Sequence, residues 1–419
     1  MSSRRGFVKE LTSGVAAAVL PQVLLAASKA PRNMNAHPPS FWEDVRNAFP
    51  LTRERTYFNN GTFGPSPTPV VEAIKSSIDT VYTSGEYGSI EDTREHIAAF
   101  VKVKTEEISL THNTTEGINI VTWGLPLKSG DEVIISRHEH VGNALPWLNR
   151  ARLHGIVLKT FEPALTADGN LMIIRNMITA RTRVIAIPHI TCTTGLVFPV
   201  QEIAALARSK NIFTAIDGAH GAGTLNLDLK ALGCDFYATS CHKWMLGPSG
   251  TGFLYVREAL LDTLQTYFVG AHADTGWDMQ VNPVVLKGYA PTAHRYDFGS
   301  QSTPLYTGVS EAINFLEAIG MRKIEERVRE LSTHLQQQLL TLGSKIEMLT
   351  PQEPESRLSM ISFRIQGMDF TEFNTLASKN KFRIRMVPES GLNALRISTH
   401  IYNSYDEIDR FFALVKANV

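Results

Sequence analysis

Two short polar sequences carry the groups of this chain that are best suited to chemistry. Residues 217–220 (Asp-Gly-Ala-His) end one apolar run, and residues 240–244 (Ser-Cys-His-Lys-Trp) end the next. A lysine amine can form an imine with an aldehyde, and a carboxylate can keep a pyridine nitrogen protonated so that the ring accepts electrons. Together the two sequences predict a site for pyridoxal 5'-phosphate (PLP) and chemistry at the α-carbon of an amino acid.

The elements around these sequences alternate between short apolar runs and segments with helical periodicity. The predicted strands are residues 132–136, 157–161, 184–188, 213–217, 236–240 and 252–256. Strands that alternate with helices predict an α/β fold, with a mostly parallel sheet covered on both faces. Ligands of such sheets bind at the carboxyl ends of the strands, where Asp217, Ser240 and Lys243 lie.

Beyond Leu305 the pattern changes to long helices and separated strands. We predict helices at 321–342 and 405–416, and strands at 360–365, 382–387 and 395–399. These elements indicate a smaller C-terminal α+β domain, with an active site in the cleft between the domains. The predicted organisation is a signal (1–30), an N-terminal segment (31–56), a large PLP-binding domain (57–304) and a small domain (305–419).

Composition excludes several classes of partner. The chain has 419 residues, 43% of them hydrophobic, and 41 basic side chains balance 41 acidic ones. This neutrality argues against a nucleic-acid partner, which favours a concentrated basic face. The three cysteines do not form a disulfide framework, and the sequence predicts no metal site.

The N-terminus carries an expected targeting segment. Residues 3–9 (Ser-Arg-Arg-Gly-Phe-Val-Lys) precede a mildly apolar run at 11–27, and Ser28 and Ala30 offer a cleavage site. Paired arginines before such a run resemble a twin-arginine export signal. A short amphipathic or membrane-anchoring helix is the alternative, although Pro21 interrupts a run that is short for ~30 Å of hydrocarbon. We expect export to the periplasm of a bacterium, and no stable membrane insertion once the signal is removed.

Several motifs, in order along the chain, carry a family resemblance. They are residues 57–62 (Tyr-Phe-Asn-Asn-Gly-Thr), 137–143 (Arg-His-Glu-His-Val-Gly-Asn), 240–244, 247–252 (Gly-Pro-Ser-Gly-Thr-Gly) and 395–403 (Leu-Arg-Ile-Ser-Thr-His-Ile-Tyr-Asn). In this order the chain resembles the class V aminotransferase family of fold-type I PLP enzymes, and within it the isopenicillin N epimerase-like branch. The resemblance implies a large domain with a sheet of the seven-stranded type, and a homodimer with shared sites.

The resemblance also implies a role for individual residues. Lys243 matches the lysine that bonds to the cofactor and later moves the proton, and Asp217 matches the partner of the pyridine nitrogen. His220 matches a contact to the ring hydroxyl, and His140 a ring that stacks on the pyridine. Arg396 matches the arginine that binds the substrate carboxylate through two parallel hydrogen bonds. The alternative for each of these residues is a purely structural role, as a turn cap, a loop residue or part of an interdomain ion pair.

Phosphate binding is assigned to residues at the start of a predicted helix and after a strand. The expected contacts are Thr114, Thr115, Ser240 and His242, because amides at a helix N-terminus and small hydroxyls donate to anions. The partner subunit is expected to contribute Ser300 and Gln301, where the sequence departs from the family's Gly-Thr motif. Cys192 stands where related enzymes often carry an asparagine beside the ring hydroxyl, or it serves only in packing.

The sequence does not distinguish among several reactions, because these reactions share the same first steps. Transamination needs only Lys243 and is our first expectation for an amino-acid or peptide substrate. Epimerisation needs a second acid; the sequence assigns no residue to this role, and Tyr87 and His272 are examples of side chains considered for it. A C–S lyase or cysteine desulfurase-like activity is a further alternative, but residues 242–419 contain no cysteine to carry a persulfide. A non-enzymatic PLP-fold binding protein would not explain the full set of residues.

Overall fold

The computed structural model describes residues 40–419 of the chain. The predicted signal at 1–30 and the first part of the predicted N-terminal segment lie outside the described residues, so export stays a prediction. Helix Ser40–Asn47 belongs to a separate compact unit from residues 48–419. From residue 40 onwards, no helix has both the length and the apolar character that crossing a membrane requires.

The described strands and helices are numbered in chain order. The strands are β1 Thr56–Tyr57, β2 Ile108–Thr111, β3 Glu132–Ser136, β4 Val157–Phe161, β5 Thr182–Pro188, β6 Phe213–Asp217, β7 Phe236–Ser240, β8 Gly252–Val256, β9 Trp277–Asp278, β10 Val285–Leu286, β11 Ile346–Met348, β12 Met360–Ile365, β13 Phe382–Arg383, β14 Arg385–Val387 and β15 Ala394–Ser398. The helices are α1 Ser40–Asn47, α2 Thr68–Ser84, α3 Glu91–Phe100, α4 Thr114–Gly124, α5 Val141–His154, α6 Ala167–Met177, α7 Val200–Arg208, α8 Leu229–Leu232, α9 Thr303–Ile319, α10 Met321–Leu340, α11 Phe370–Lys379 and α12 Tyr405–Lys416.

A seven-stranded sheet in the order β2-β8-β7-β6-β5-β3-β4 forms the centre of the large α/β layer. All of its strands except β8 run in one direction, because β8 pairs antiparallel with both β2 and β7. The α/β fold with a mostly parallel seven-stranded sheet is therefore confirmed. The carboxyl ends of the parallel strands lie along a single edge.

The central strands are continuous apolar runs because helices cover the sheet. Every residue of β3, β7 and β8 is buried, whereas β4, at the edge, is exposed at Val157 and Thr160. Helices α4 and α5 contribute Ile118, Val121 and Trp147 to the core against this sheet. Such buried runs are typical of parallel strands with packed faces.

A second, antiparallel sheet has the order β11-β12-β15-β14. Its core also takes Phe58, which follows β1, and β1 pairs in parallel with β13. The chain therefore returns from its N-terminal part into the C-terminal α+β layer. The predicted domain boundary at residues 304 and 305 stays a prediction.

Candidate active site

Five loops meet at the carboxyl edge of the large sheet. They follow β2, β3, β5, β6 and β7, and they carry the predicted residues around Thr114, His140, Cys192, His220 and Lys243. Parallel strands bring their carboxyl ends together, so residues far apart in sequence become neighbours. The sheet topology thus places most of the predicted site in one region.

Lys243 lies at the centre of this region. The side chain is 9% exposed, and its Nζ lies 3.4 Å from Nε2 of His220. Burial lowers the pKa of Lys243, while the neighbouring Asp217 carboxylate acts in the opposite direction. Asp217 ends β6, is 4% exposed, and accepts a hydrogen bond of 2.9 Å from the backbone N of Ala219. A buried amine beside a buried carboxylate is the arrangement that the sequence predicts.

The N-terminus of α4 meets the end of β7 in a cluster of hydroxyls. The backbone N and Oγ1 of Thr114 lie 2.9 Å and 2.8 Å from Oγ of Ser240. Nδ1 of His242 is buried and has no hydrogen-bond partner within residues 40–419. Burial, followed by the Lys243 charge, lowers the pKa of His242 to about 4, so its imidazole is neutral. Donors at a helix N-terminus together with an unpaired imidazole suit a phosphate.

His140 is the N-cap of α5, which begins at Val141. Its Nδ1 accepts a hydrogen bond of 3.0 Å from the backbone N of Gly142. A Cβ on Gly142 would come within 2.4 Å of Oγ1 of Thr115, so glycine allows α4 and α5 to approach each other. Thr115 and His140 are therefore adjacent, as a shared role at the cofactor requires. Partial desolvation and the Lys243 charge lower the pKa of His140.

Arg396 on β15 reaches the large-sheet edge from the second sheet. It is 1% exposed and donates to the backbone O of Cys192, and its Nη2 lies 3.1 Å from Oγ1 of Thr62. Its Nε is buried without a hydrogen-bond partner in the described part of the chain. Burial, and then the nearby Arg385, lowers the pKa of Arg396 to about 9. An anchored guanidinium with an unpaired N–H fits a carboxylate ligand.

Cys192 is buried beside these groups, and this burial disfavours its thiolate. Burial raises the pKa of Cys192 to about 11, although the charges of Arg396 and Lys243 act in the opposite direction. A thiol with so high a pKa is protonated at neutral pH, and the thiolate is the nucleophilic form. The structure therefore places Cys192 in the site but gives it no nucleophilic character.

Sequence reasoning missed Arg385 and its partner Glu389. Arg385 on β14 lies directly opposite Arg396 on β15, and its Nη1 donates to Oε2 of Glu389 over 3.3 Å. Like charges directly across a sheet repel each other, and Glu389 compensates one of the two. Arg385 lies within the predicted strand 382–387, so its residue type was known from the sequence. Only the strand register reveals that it faces the site.

Four other candidate residues lie elsewhere on the described chain. Ser300 is exposed with φ of 55°, and Gln301 has a buried Nε2 without a partner among residues 40–419. Neither forms a hydrogen bond to Lys243 or to the hydroxyl cluster. Tyr87 is 75% exposed and His272 lies in an exposed loop, so the structure brings neither of them to the lysine.

The residues present fit PLP. Among residues 40–419, Nδ1 of His242 and Nε of Arg396 are buried without a partner, in the residues expected to bind the phosphate and the carboxylate. The same region holds the Asp217 carboxylate and the Lys243 amine, whose charges act on each other. A phosphate, a ring nitrogen, an aldehyde and a substrate carboxylate each find a chemically matched group.

We predict that the Lys243 amine titrates below 10.5 and that Asp217→Asn lowers its pKa further. Loss of the carboxylate removes the charge that favours the ammonium form, so the neutral fraction rises at every pH below the pKa. The measurement is the pH dependence of Lys243 acylation in protein freed of cofactor, followed by peptide mapping. Asp228→Asn, at the N-cap of α8, is the matched control. An Asp217→Asn protein with an unchanged or higher pKa of Lys243 would contradict this effect of the Asp217 carboxylate.

Comparison with known proteins agrees with this geometry. The model of the family "Aminotransferase class-V" matches residues 74–411. A probable cysteine desulfurase of Xylella fastidiosa (strain 9a5c) is 28% identical, with 91% of this chain and 97% of the relative covered. The isopenicillin N epimerase of Streptomyces clavuligerus is 29% identical, with 88% and 96% covered.

A solved structure is also similar along most of the chain. It is a mutant of C-DES with glycine covalently linked to its PLP cofactor. The TM-score is 0.81 at 26% identity, and the match covers 88% of this chain and 98% of that one. The fold is therefore that of fold-type I enzymes, as expected. With a family model that spans most of its length, this chain belongs to the class V aminotransferase family, and its cofactor is PLP.

Proposed function

We propose that this enzyme moves the α-proton of an amino acid, or of a peptide that contains one, and that its product is the epimerised substrate. The observation that carries the proposal is the buried Lys243 amine, whose pKa is lowered, in the same site as the anchored Arg396 guanidinium. PLP, when bound, withdraws electrons from the substrate α-carbon. Lys243 accepts the proton from one face of the α-carbon, and inversion requires that a second acid return a proton to the opposite face.

Arg396 supports the role of orienting the substrate. Its guanidinium is fixed by the carbonyl of Cys192 and by the hydroxyl of Thr62, which come from two different segments. A carboxylate bound at its Nε–H would be held in a fixed direction relative to Lys243. A fixed orientation raises the rate of proton transfer because the amine and the α-carbon are already positioned for reaction.

The cysteines argue against sulfur transfer on the protein. Cys192, Cys234 and Cys241 are all buried, and burial raises the pKa of each thiol. Residues 242–419 contain no cysteine at all. Although relatives include probable cysteine desulfurases, we propose that this chain does not carry a persulfide. The similarity to isopenicillin N epimerase supports epimerisation instead.

Transamination is the second candidate, and one observation favours it. Lys243 is the base that we assign to the reaction, and transamination requires no second acid. Tyr87 and His272, considered for that role from the sequence, lie at the surface. Epimerisation moves ahead of transamination here only because relatives with that activity are similar over most of the chain.

The proposal predicts solvent deuterium at the α-carbon. Holoenzyme is mixed with a panel of amino acids and short peptides in heavy water, and the products are read by NMR and chiral chromatography. We expect exchange with inversion. Exchange with retention and formation of pyridoxamine phosphate would identify the transaminase instead, and pyruvate with sulfide would identify a lyase.

A pair of lysine variants completes this experiment. Lys243→Ala is expected to lower exchange by about 10²-fold or more, the usual contribution of a positioned base. Lys159→Ala on the edge strand β4, which removes an ion pair with Glu132 on β3, is the control and retains exchange. Full exchange in Lys243→Ala would contradict the proposed role of the amine.

We also propose that the enzyme is a homodimer. Residues 267–289 present large apolar side chains to solvent: Tyr267, Phe268, Trp277 and Met279 are 68%, 71%, 64% and 63% exposed. Exposed apolar surface of this kind marks protein interfaces. Within residues 40–419, Nε2 of Gln301 has no hydrogen-bond partner, and we propose that Ser300 and Gln301 reach the partner's phosphate.

The dimer is tested by light scattering with size-exclusion chromatography. We expect a dimer for the wild-type protein and dissociation in Phe268→Asp, because a carboxylate at the interface would lose its hydration. Met172→Asp, a similarly exposed apolar position on α6, is the control. A wild-type monomer at micromolar concentration that binds PLP normally would refute the shared site.

A further inference from the structure

Trp244, the residue after the lysine, makes a hydrogen bond that the reaction does not by itself require. Its indole Nε1 donates to Nδ1 of His220 over 3.0 Å. Trp244 is 0% exposed and His220 is 3% exposed, so water does not compete for this bond. The opposite nitrogen of the same imidazole, Nε2, lies 3.4 Å from Nζ of Lys243. Trp244, His220 and Lys243 thus form a short chain of contacts.

The indole determines which nitrogen of His220 carries the proton. An indole N–H is a donor only, so Nδ1 of His220 must offer a lone pair. Burial holds the pKa of His220 well below its ordinary value, so the ring is neutral. A neutral imidazole has a single N–H, which must then be on Nε2.

The N–H on Nε2 has a consequence for Lys243. An ammonium group has three donors and no lone pair, so it cannot accept from Nε2–H, and the two groups repel each other. A neutral amine has one lone pair and can accept. The tautomer of His220 therefore favours the unprotonated form of the lysine nitrogen, in the same direction as burial.

Neighbouring contacts hold Trp244 in place. Nδ1 of His400 accepts from the backbone N of Ile401 over 2.7 Å, so its Nε2–H donates to the backbone O of Trp244 over 3.1 Å. Gly223 has φ of 84°, and a Cβ there would come within 2.4 Å of the backbone N of Met245. The loop that carries His220 can approach Trp244 so closely only with glycine at this position.

We propose that Trp244 is a positioning residue that fixes His220 in the Nε2–H tautomer and thereby keeps Nζ of Lys243 unprotonated, ready to accept a proton. The second part rests on the proposed function, since it gives Lys243 the role of base. The first part, the tautomer, stands on the hydrogen bonds alone. Other charged or titratable side chains that act on His220 or Lys243 are Asp217, Cys192, His140, Arg385 and Arg396.

The tautomer is tested directly by ¹⁵N NMR of histidine-labelled, full-length holoenzyme. Two-bond proton–nitrogen correlations distinguish the two tautomers, and His220→Gln assigns the signal by its loss. We expect one Nε2–H tautomer in the wild-type protein and a mixture in Trp244→Phe, which lacks the donor. Trp123→Phe, which removes an indole bond of 3.2 Å to Asn119 on α4, is the matched control and leaves His220 unchanged.

The effect on Lys243 is tested by a pH titration of the cofactor's visible absorption band, which reports protonation of Nζ. Trp244→Phe is expected to raise the proton affinity of Nζ by about three- to tenfold, the effect of one ordinary hydrogen bond. In a His220→Gln background, Trp244→Phe should change this affinity no further. If Trp244→Phe acted only through lost packing, it would change the proton affinity of Nζ by the same factor in the wild-type and His220→Gln backgrounds.

A wild-type His220 that carries its proton on Nδ1, or on both nitrogens, overturns the proposal even if the tryptophan variant does not fold. A Trp244→Phe protein with an unchanged tautomer and titration overturns it as well. A changed tautomer with an unchanged titration overturns the second part. Failure of the heavy-water experiment would instead overturn the proposed function and leave the tautomer assignment intact.

Discussion

A primary amine that leaves water loses the hydration that stabilises its ammonium form, and the site is organised around this cost. Lys243 is buried at the carboxyl edge of the sheet, where Asp217 favours the charged amine while burial and the nearby arginines favour the neutral one. The balance of these effects sets the proton affinity of the nitrogen. Each neighbour that excludes water or contributes charge therefore takes part in the chemistry of the lysine.

Three separate parts of the chain are needed to bury this amine. The large sheet supplies the lysine loop. The segment before α2 contributes Gly64, whose backbone N donates to the backbone O of His242 over 2.8 Å; a Cβ added there would lie 1.7 Å from the carbonyl O of Lys243. The second sheet contributes Arg396, bonded to the carbonyl of Cys192. Phe58, shortly before Gly64, packs in the second core, so both layers contribute to the site.

The sequence was sufficient for the strands that bury continuous apolar runs and for the polar residues that follow them, because both signals are local. Strand β2 was missed, since its four residues include two polar ones that the fold nevertheless buries. The break between β13 and β14 and the register that sets Arg385 opposite Arg396 depend on pairing between distant segments. The bond from Trp244 to His220 depends on two loops meeting, which periodicity does not predict.

The covalent attachment of PLP to one lysine is the central claim, and borohydride reduction tests it most directly. Reduction of the holoenzyme fixes the bond between cofactor and amine, and proteolysis with mass spectrometry then locates it. The account predicts a single modified peptide, with the label on Lys243. A label on any other lysine would contradict this claim. A holoenzyme that retains no cofactor after reduction would contradict it as well.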